Sequence, residues 1–185
     1  MEDSDCILIL FLGTGADHLD RKLSQIAQKS DRWLEETHDY IQWLFPLYAG
    51  SQFNPHAPVL TDDMRGAFTD ASHSDHAVVQ RNFGSAIYRM LVFYGYSVTP
   101  VAPDDVSATG EWSEKADNWL TKGNHNFMRL TRILRSMVLL GREPLARSFH
   151  CCLIAAARAH PKIISQRKAD FWKEAVETKA GATII

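Results

Sequence analysis

The sequence predicts an all-α fold, a compact orthogonal bundle of about six to eight helices. Three observations carry this reading. Apolar residues recur at three- and four-residue spacing along most of the chain. Helix-starting and helix-stopping residues fall at the edges of those stretches. The pronounced breaks are short stretches rich in glycine and proline.

Taken in order, Cys6-Ile7-Leu8-Ile9-Leu10-Phe11-Leu12 is a buried segment, strand-like or helical. It is far shorter than the ~20 residues a membrane-spanning helix needs. Acidic Glu2, Asp3 and Asp5 precede it where a secretory signal carries positive charge. Gly13-Thr14-Gly15-Ala16-Asp17 is then a turn, because neither dinucleotide-binding nor Walker spacing follows it. A short helix over 19–27 turns Leu19, Leu23 and Ile26 inward. A longer one over 31–44, opened by Ser30-Asp31 and stopped by Pro46, aligns Leu34, His38, Ile41 and Leu44 or Phe45.

Gly50, Pro55 and Pro58 make 47–60 an extended connection. Thr61-Asp62-Asp63 caps a short helix with Met64, Ala67 and Phe68 inward. Ser72 and Asp75 have capping-box spacing before a long helix. Its inward stripe is Val79, Phe83, Ile87, Met90, Leu91 and Tyr94, and Gly95 stops it. Pro100, Pro103, Asp104, Asp105 and Gly110 make 96–111 a loop. Four more helical stretches follow. They cover Trp112 to Thr121; His125 to Leu140, closed by Gly141; Glu143-Pro144 to Pro161; and about Lys162 to Thr178, anchored by Ile163, Phe171, Trp172 and Val176.

At 185 residues, with 45% hydrophobic and 23% charged residues, the chain reads as one globular domain, 1–185. Three cysteines, two of them adjacent in an apolar run, read as buried free thiols of a reducing compartment, cytoplasmic or nuclear. Residues 1–111 carry 7 basic against 16 acidic side chains, and residues 112–185 carry 13 against 6. That asymmetry either draws an anionic partner, nucleic acid or phosphate, to the basic half or sets acidic against basic within the fold.

Binding chemistry concentrates on the 125–140 helix. His125, Arg129, Arg132 and Ser136 share one face, with Asn126 and Arg135 beside it. Two guanidiniums a turn apart form a fork for carboxylate or phosphate, and the helix N-terminus at His125-Asn126 favours an anion. The competing reading is a solvated face, or arginines sealed by carboxylates such as Asp39 or Glu36. His38 reads as a hydrogen-bonded core residue, with a base as the alternative. The tryptophans Trp33, Trp43, Trp112, Trp119 and Trp172 read mostly as core anchors. His73 and His76 lack a third ligand at zinc spacing, so neither metal nor cofactor is expected. No G-x-S-x-G or H-E-x-x-H motif and no D-x-D series occurs, and the chain reads as non-enzymatic.

The block His38-Asp39-Tyr40-Ile41-Gln42-Trp43-Leu44-Phe45-Pro46 resembles the conserved region of the opioid growth factor receptor family. The likeness continues at Asn54, Ala57-Pro58, Leu60, Tyr88 to Leu91, Phe93-Tyr94-Gly95 and Trp119, then through His125 to Ser136. It implies a conserved region over 31–178, with 1–30 as an extension packed on it. It also implies a binding module akin to animal receptors for a short enkephalin peptide that associate with the nucleus. The chain is expected to be that region alone, as in short microbial relatives, without the long nuclear-targeting and repeat segments. Spacing and resemblance together nominate His38, Gln42, Trp43, His125, Asn126, Arg129 and Arg132 for a small anionic or peptide ligand. Nucleic-acid or phosphate binding and an uncharacterised enzyme stand as alternatives, without membrane insertion.

Overall fold

The computed structural model describes residues 6–52 and 54–178. The chain divides into two compact units, 1–89 and 90–185. The structure is mostly helical, with ten helical segments and one two-stranded sheet among the described residues.

The first unit begins with α1 (Cys6–Leu12), α2 (Leu23–Ala27), α3 (Asp31–Glu36), α4 (Ile41–Leu44) and α5 (Asp62–Thr69). Phe11 of α1 meets Phe68 of α5 edge-on at 5.2 Å and Phe83 at 5.8 Å, while Phe45 tilts against Phe83 at 6.0 Å. Each such ring pair adds about 0.5–1.5 kcal/mol beyond the area it buries. Through Phe11, with Ile7 and Leu10 also buried, α1 therefore contributes to this core. Glycine and threonine after α1 form the expected turn, with the Thr14 and Gly15 amides both donating to Ile9 O.

Three details differ from the sequence expectation. Leu19 is exposed, because α2 starts only at Leu23 and Asp17 organises the preceding turn with its own carboxylate. The single helix expected over 31–44 is two, since Thr37 turns extended (ψ 132°) and breaks the ladder between α3 and α4. That break carries His38 to the surface, so it is not a core histidine. By contrast, α5 forms as its letters require, with Thr61 Oγ1 accepting from the Met64 amide and Met64, Ala67 and Phe68 buried.

The long α6 (His76–Tyr94) buries all six residues of its stripe and ends at Gly95, whose φ is +85°. The capping box expected at Ser72 and Asp75 does not form. Ser72 instead bonds Asp70, and the Asp75 amide donates to His73 Nδ1.

The second unit corrects the all-α reading. Residues expected to be loop make an antiparallel hairpin, β1 (Tyr96–Thr99) and β2 (Ala102–Ala108), paired Tyr96 with Ala108 and Val98 with Val106. Pro100 sits in its two-residue turn. Pro103, Asp104 and Asp105 fall where the register shifts between Val98 and Thr99. Proline, which cannot donate to a ladder, is tolerated there, so Pro100 and Pro103 hid the strands. The hairpin is bound to α9 (Glu143–Ala159) by Ser148 Oγ, which accepts from the Val106 amide at 2.8 Å, and by Cys152 Sγ on Val106 O.

Helices α8 (Asn126–Leu139), α9 and α10 (Gln166–Glu177) pack on one another. Trp119 follows α7 (Trp112–Ala116) and is fully enclosed by Tyr94, Tyr96, Trp112 and Phe127, its indole N–H donating to Tyr94 O. Trp172 is likewise buried and donates to Phe127 O, whereas Phe171 is exposed. Cys151 is exposed too, contrary to the buried-thiol reading, because it faces away from the stripe of Phe149, Leu153, Ala156 and Ala157. No helix among the described residues is long and apolar enough to cross a membrane.

Gly95 has no room for a side chain. A Cβ there would lie 3.0 Å from Trp112 Cα and 3.0 Å from Lys115 Cβ, on a left-handed backbone. Gly95→Ala is expected to cost about 2–4 kcal/mol, read as a lowered urea midpoint at unchanged slope.

Candidate functional site

In the first unit, the short connection from α1 to α2 sets up a charged frame. Asp17 is buried, and its Oδ1 accepts from the Leu19 and Arg21 amides while Oδ2 accepts from Arg21 Nε at 2.7 Å. Arg21 reaches on to Asp39 Oδ1 at 2.9 Å and lies over the Trp33 ring. Burial tends to lower the Arg21 guanidinium, but its hydrogen bonds and proximity to Asp17 and Asp39 hold it above its ordinary value. The residue beside this frame, His18, places Nε2 3.6 Å from Asp39 Oδ2.

The His18 ring lies flat between two others. Trp43 is stacked on it with centroids 5.7 Å apart and planes 7° apart, and His56 at 5.2 Å and 16°. His56 comes from the connection between α4 and α5, which Asn54 ties down: Asn54 Nδ2 donates to Asp39 O, and Asn54 Oδ1 accepts from the His56 amide. Trp43 is buried, yet its Nε1 has no hydrogen-bond partner, and neither has the buried His18 Nδ1.

The neighbouring candidates serve the chain itself. Gln42 is buried and, with its amide set by the acceptors around it, donates to the His38 and Asp39 carbonyls at 3.2 Å each. It closes the turn between α3 and α4. Asp39 and Glu36, the suggested partners for the arginines of α8, are engaged by Arg21 and His18 and by Arg32 respectively.

In the second unit, the expected polar face of α8 lies largely inside the protein. Arg129, Arg135 and Ser136 are buried, Arg132 is half-buried, and Met128 is the exposed side chain of the first turn. Asn126 is the hub. Its Oδ1 accepts from Tyr94 Oη at 3.1 Å and from Arg129 Nη1 at 3.2 Å, and its Nδ2 donates to Asn118 O at 3.1 Å. Arg135 donates to Thr178 O. Burial alone pushes the Arg132 guanidinium down to about 10.

The α8 N-terminus is not an open anion site. Asn124 Oδ1 accepts from the Asn126 amide, Asn124 O from that of Phe127, and His125 O from those of Met128 and Arg129. Thus the structure joins Asn126 directly to Arg129, with His125 in the adjoining cap position, and joins Gln42 to His38 through the backbone. Trp43 belongs with His18 and His56. Sequence reasoning did not bring His18, His56, Asp17 and Arg21 together with Trp43, since they come from separate segments that share no periodicity.

Elsewhere, burial raises the Cys152 thiol above its usual range, which leaves it protonated at neutral pH. Among the described residues no group of three or more His, Cys, Asp or Glu could hold a metal ion.

These features define a mostly helical protein whose polar side chains work largely as internal hubs, with one flat aromatic stack that is not fully matched. The chain belongs to the opioid growth factor receptor conserved-region family, whose model matches residues 18–181. The matched span takes in His18, Arg21 and Asp39 and begins just after Asp17. The chain is 37% identical over 120 residues to the opioid growth factor receptor of Rattus norvegicus, covering 63% of this chain and 20% of that protein. It is 36% identical over 110 residues to opioid growth factor receptor-like protein 1 of Mus musculus (60% and 22%) and 35% over 120 to the Homo sapiens receptor (63% and 17%). It therefore spans about a fifth of the length of the curated relatives it matches. No solved structure matches.

Two outcomes test this description. Asn126→Ala leaves Tyr94 Oη, Arg129 and Asn118 O short of a partner and is expected to cost about 2–3 kcal/mol in urea unfolding. His150 on α9 has its imidazole lowered from 6.5, first by burial and then by Arg147 and Lys173, against an opposing pull from Glu177. The unfolded chain then takes up a proton first as pH falls through 6.5, so stability is full above that value and declines towards the depressed native pKa. His150→Gln should flatten that part of the acid slope, measured as urea midpoints at pH 7 and pH 5.

Proposed function

We propose that the chain is a non-enzymatic binding module that takes a short peptide or small anion, with the receptor role that its relatives' names carry. The observation supporting this reading most directly is the guanidinium pair of Arg129 and Arg132 on α8, with Arg132 desolvated enough to fall to about 10. Low local polarity strengthens the attraction of that cation for an approaching carboxylate. A guanidinium has five N–H donors, so contacts inside the chain and a carboxylate can be served together. Family membership adds the ligand class, because the matching relatives are named as receptors of an opioid growth factor.

The test is isothermal titration with an enkephalin-type peptide bearing a free C-terminus and with its C-terminal amide. The free acid is expected to bind, and the amide and the Arg132→Gln protein are each expected to lose roughly tenfold or more in affinity. Absence of heat with both peptides, or equal affinity for both, would remove the carboxylate reading.

A further inference from the structure

The charge imbalance of the sequence is concentrated at one place in the second unit. Residues 144–169 hold Arg147, Arg158, Lys162, Arg167 and Lys168 and no aspartate or glutamate. Four of the five stand at one end of the α9–α10 pair. Arg158 lies in the last turn of α9, Lys162 in the connection, and Arg167 and Lys168 in the first turn of α10. The connection is short and tight, with His160 O accepting from the Ile163 and Ile164 amides.

Three other exposed cations are neutralised within their own helix: Arg32 by Glu36, Arg147 by Glu143 and Lys173 by Glu177. Among the described residues no carboxylate forms an ion pair with Arg158, Lys162, Arg167 or Lys168. Asp170, the first acid beyond them in the chain, accepts from the Gln166 amide at 2.8 Å. Flat rings accompany these cations. The Arg167 guanidinium lies 5.7 Å over the Phe171 ring, which is 40% exposed, and Lys168 Nζ lies 4.0 Å over Phe127.

An anionic membrane, an acidic peptide and a nucleic acid all carry the complementary charge. A membrane surface takes up the apolar face of a helix, and that face of α10, with Ala169, Trp172, Ala175 and Val176, is buried in the fold. An acidic peptide meets the cations but leaves the exposed Phe171 ring unused. A single-stranded nucleic acid meets both, because each phosphate brings a base whose flat face is free to stack. In a duplex those faces are already stacked.

We propose that this end of the α9–α10 pair is a binding surface for single-stranded nucleic acid. Arg158, Lys162 and Lys168 meet the phosphates, and a base stacks on Phe171 and the Arg167 guanidinium over it. Arg132 takes no part, so the surface is independent of the carboxylate reading there.

The experiment is fluorescence anisotropy of the full chain with a labelled oligodeoxythymidylate of roughly ten nucleotides, over a range of salt. Saturable binding is expected at low salt, weakening with a log–log slope of roughly −2, about −0.7 for each of three neutralised phosphates. Arg158→Gln and Lys162→Gln, both at exposed positions, should each reduce that slope by about 0.7. Phe171→Ala should weaken the oligonucleotide fivefold or more and leave heparin, a polyanion without bases, unchanged. Three outcomes overturn the proposal. Binding is absent at low salt; Phe171→Ala affects heparin and the oligonucleotide alike; or polyglutamate or a duplex competes as well as the single strand, which makes the surface a general polyanion patch. None of these touches the peptide titration at Arg132, and failure of that titration leaves this surface standing.

Discussion

Burying an amide side chain is tolerable only when its donors and acceptors find partners, and Asn126 shows how much structure that condition dictates. To satisfy it, the end of α6 must bring Tyr94 Oη to the amide oxygen, and the segment after α7 must turn Asn118 O towards the amide nitrogen. Asn124 must cap the first turn of α8, and Arg129 must fold back on its own helix. Each demand is worth about 1–3 kcal/mol if left unmet, comparable to a large share of a domain's net stability. The aromatic shell around Trp119 is tied to the same point, because its indole donates to Tyr94 O at the end of α6 and its ring meets that of Tyr94 edge-on. Non-directional burial supplies most of the driving force, but the amide fixes which arrangement is reached.

Asp17 plays the corresponding part in the first unit. A buried carboxylate that accepts two backbone amides and a guanidinium sets the turn before α2 and fixes Arg21, which in turn holds Asp39. Asp20 in the left-handed region (φ 57°) completes that turn, a conformation aspartate tolerates better than most residues. His18 is carried on this frame, so the position of the ring stack follows from charge pairing and not from helix packing.

What the sequence revealed and what it hid divide along the same line. The α5 cap, the α6 stripe and the Gly95 stop are local, and each was legible because the residues that decide it lie within a turn or two of one another. The break at Thr37 was not, since Leu34, Ile41 and Leu44 keep helical spacing straight across it. The hairpin was hidden by its prolines, which sit where the ladder needs no donor. On α8, Arg129 and Arg135 were placed on or beside a polar face for an anion, with a solvated or carboxylate-sealed face as the competing reading, because residue type alone does not report burial. Asn126 and Thr178 O supply the partners that make burial bearable, and neither is visible as a pattern. The stack is the extreme case: His18, Trp43 and His56 come from three segments and share no periodicity.

A buried polar atom persists either because the chain matches it or because something else does. Asp17 and Asn126 are matched by the chain several times over. Those two side chains are committed to holding the fold. Trp43 and His18 are held differently, by a flat ring stack carried on the Asp17–Arg21–Asp39 frame.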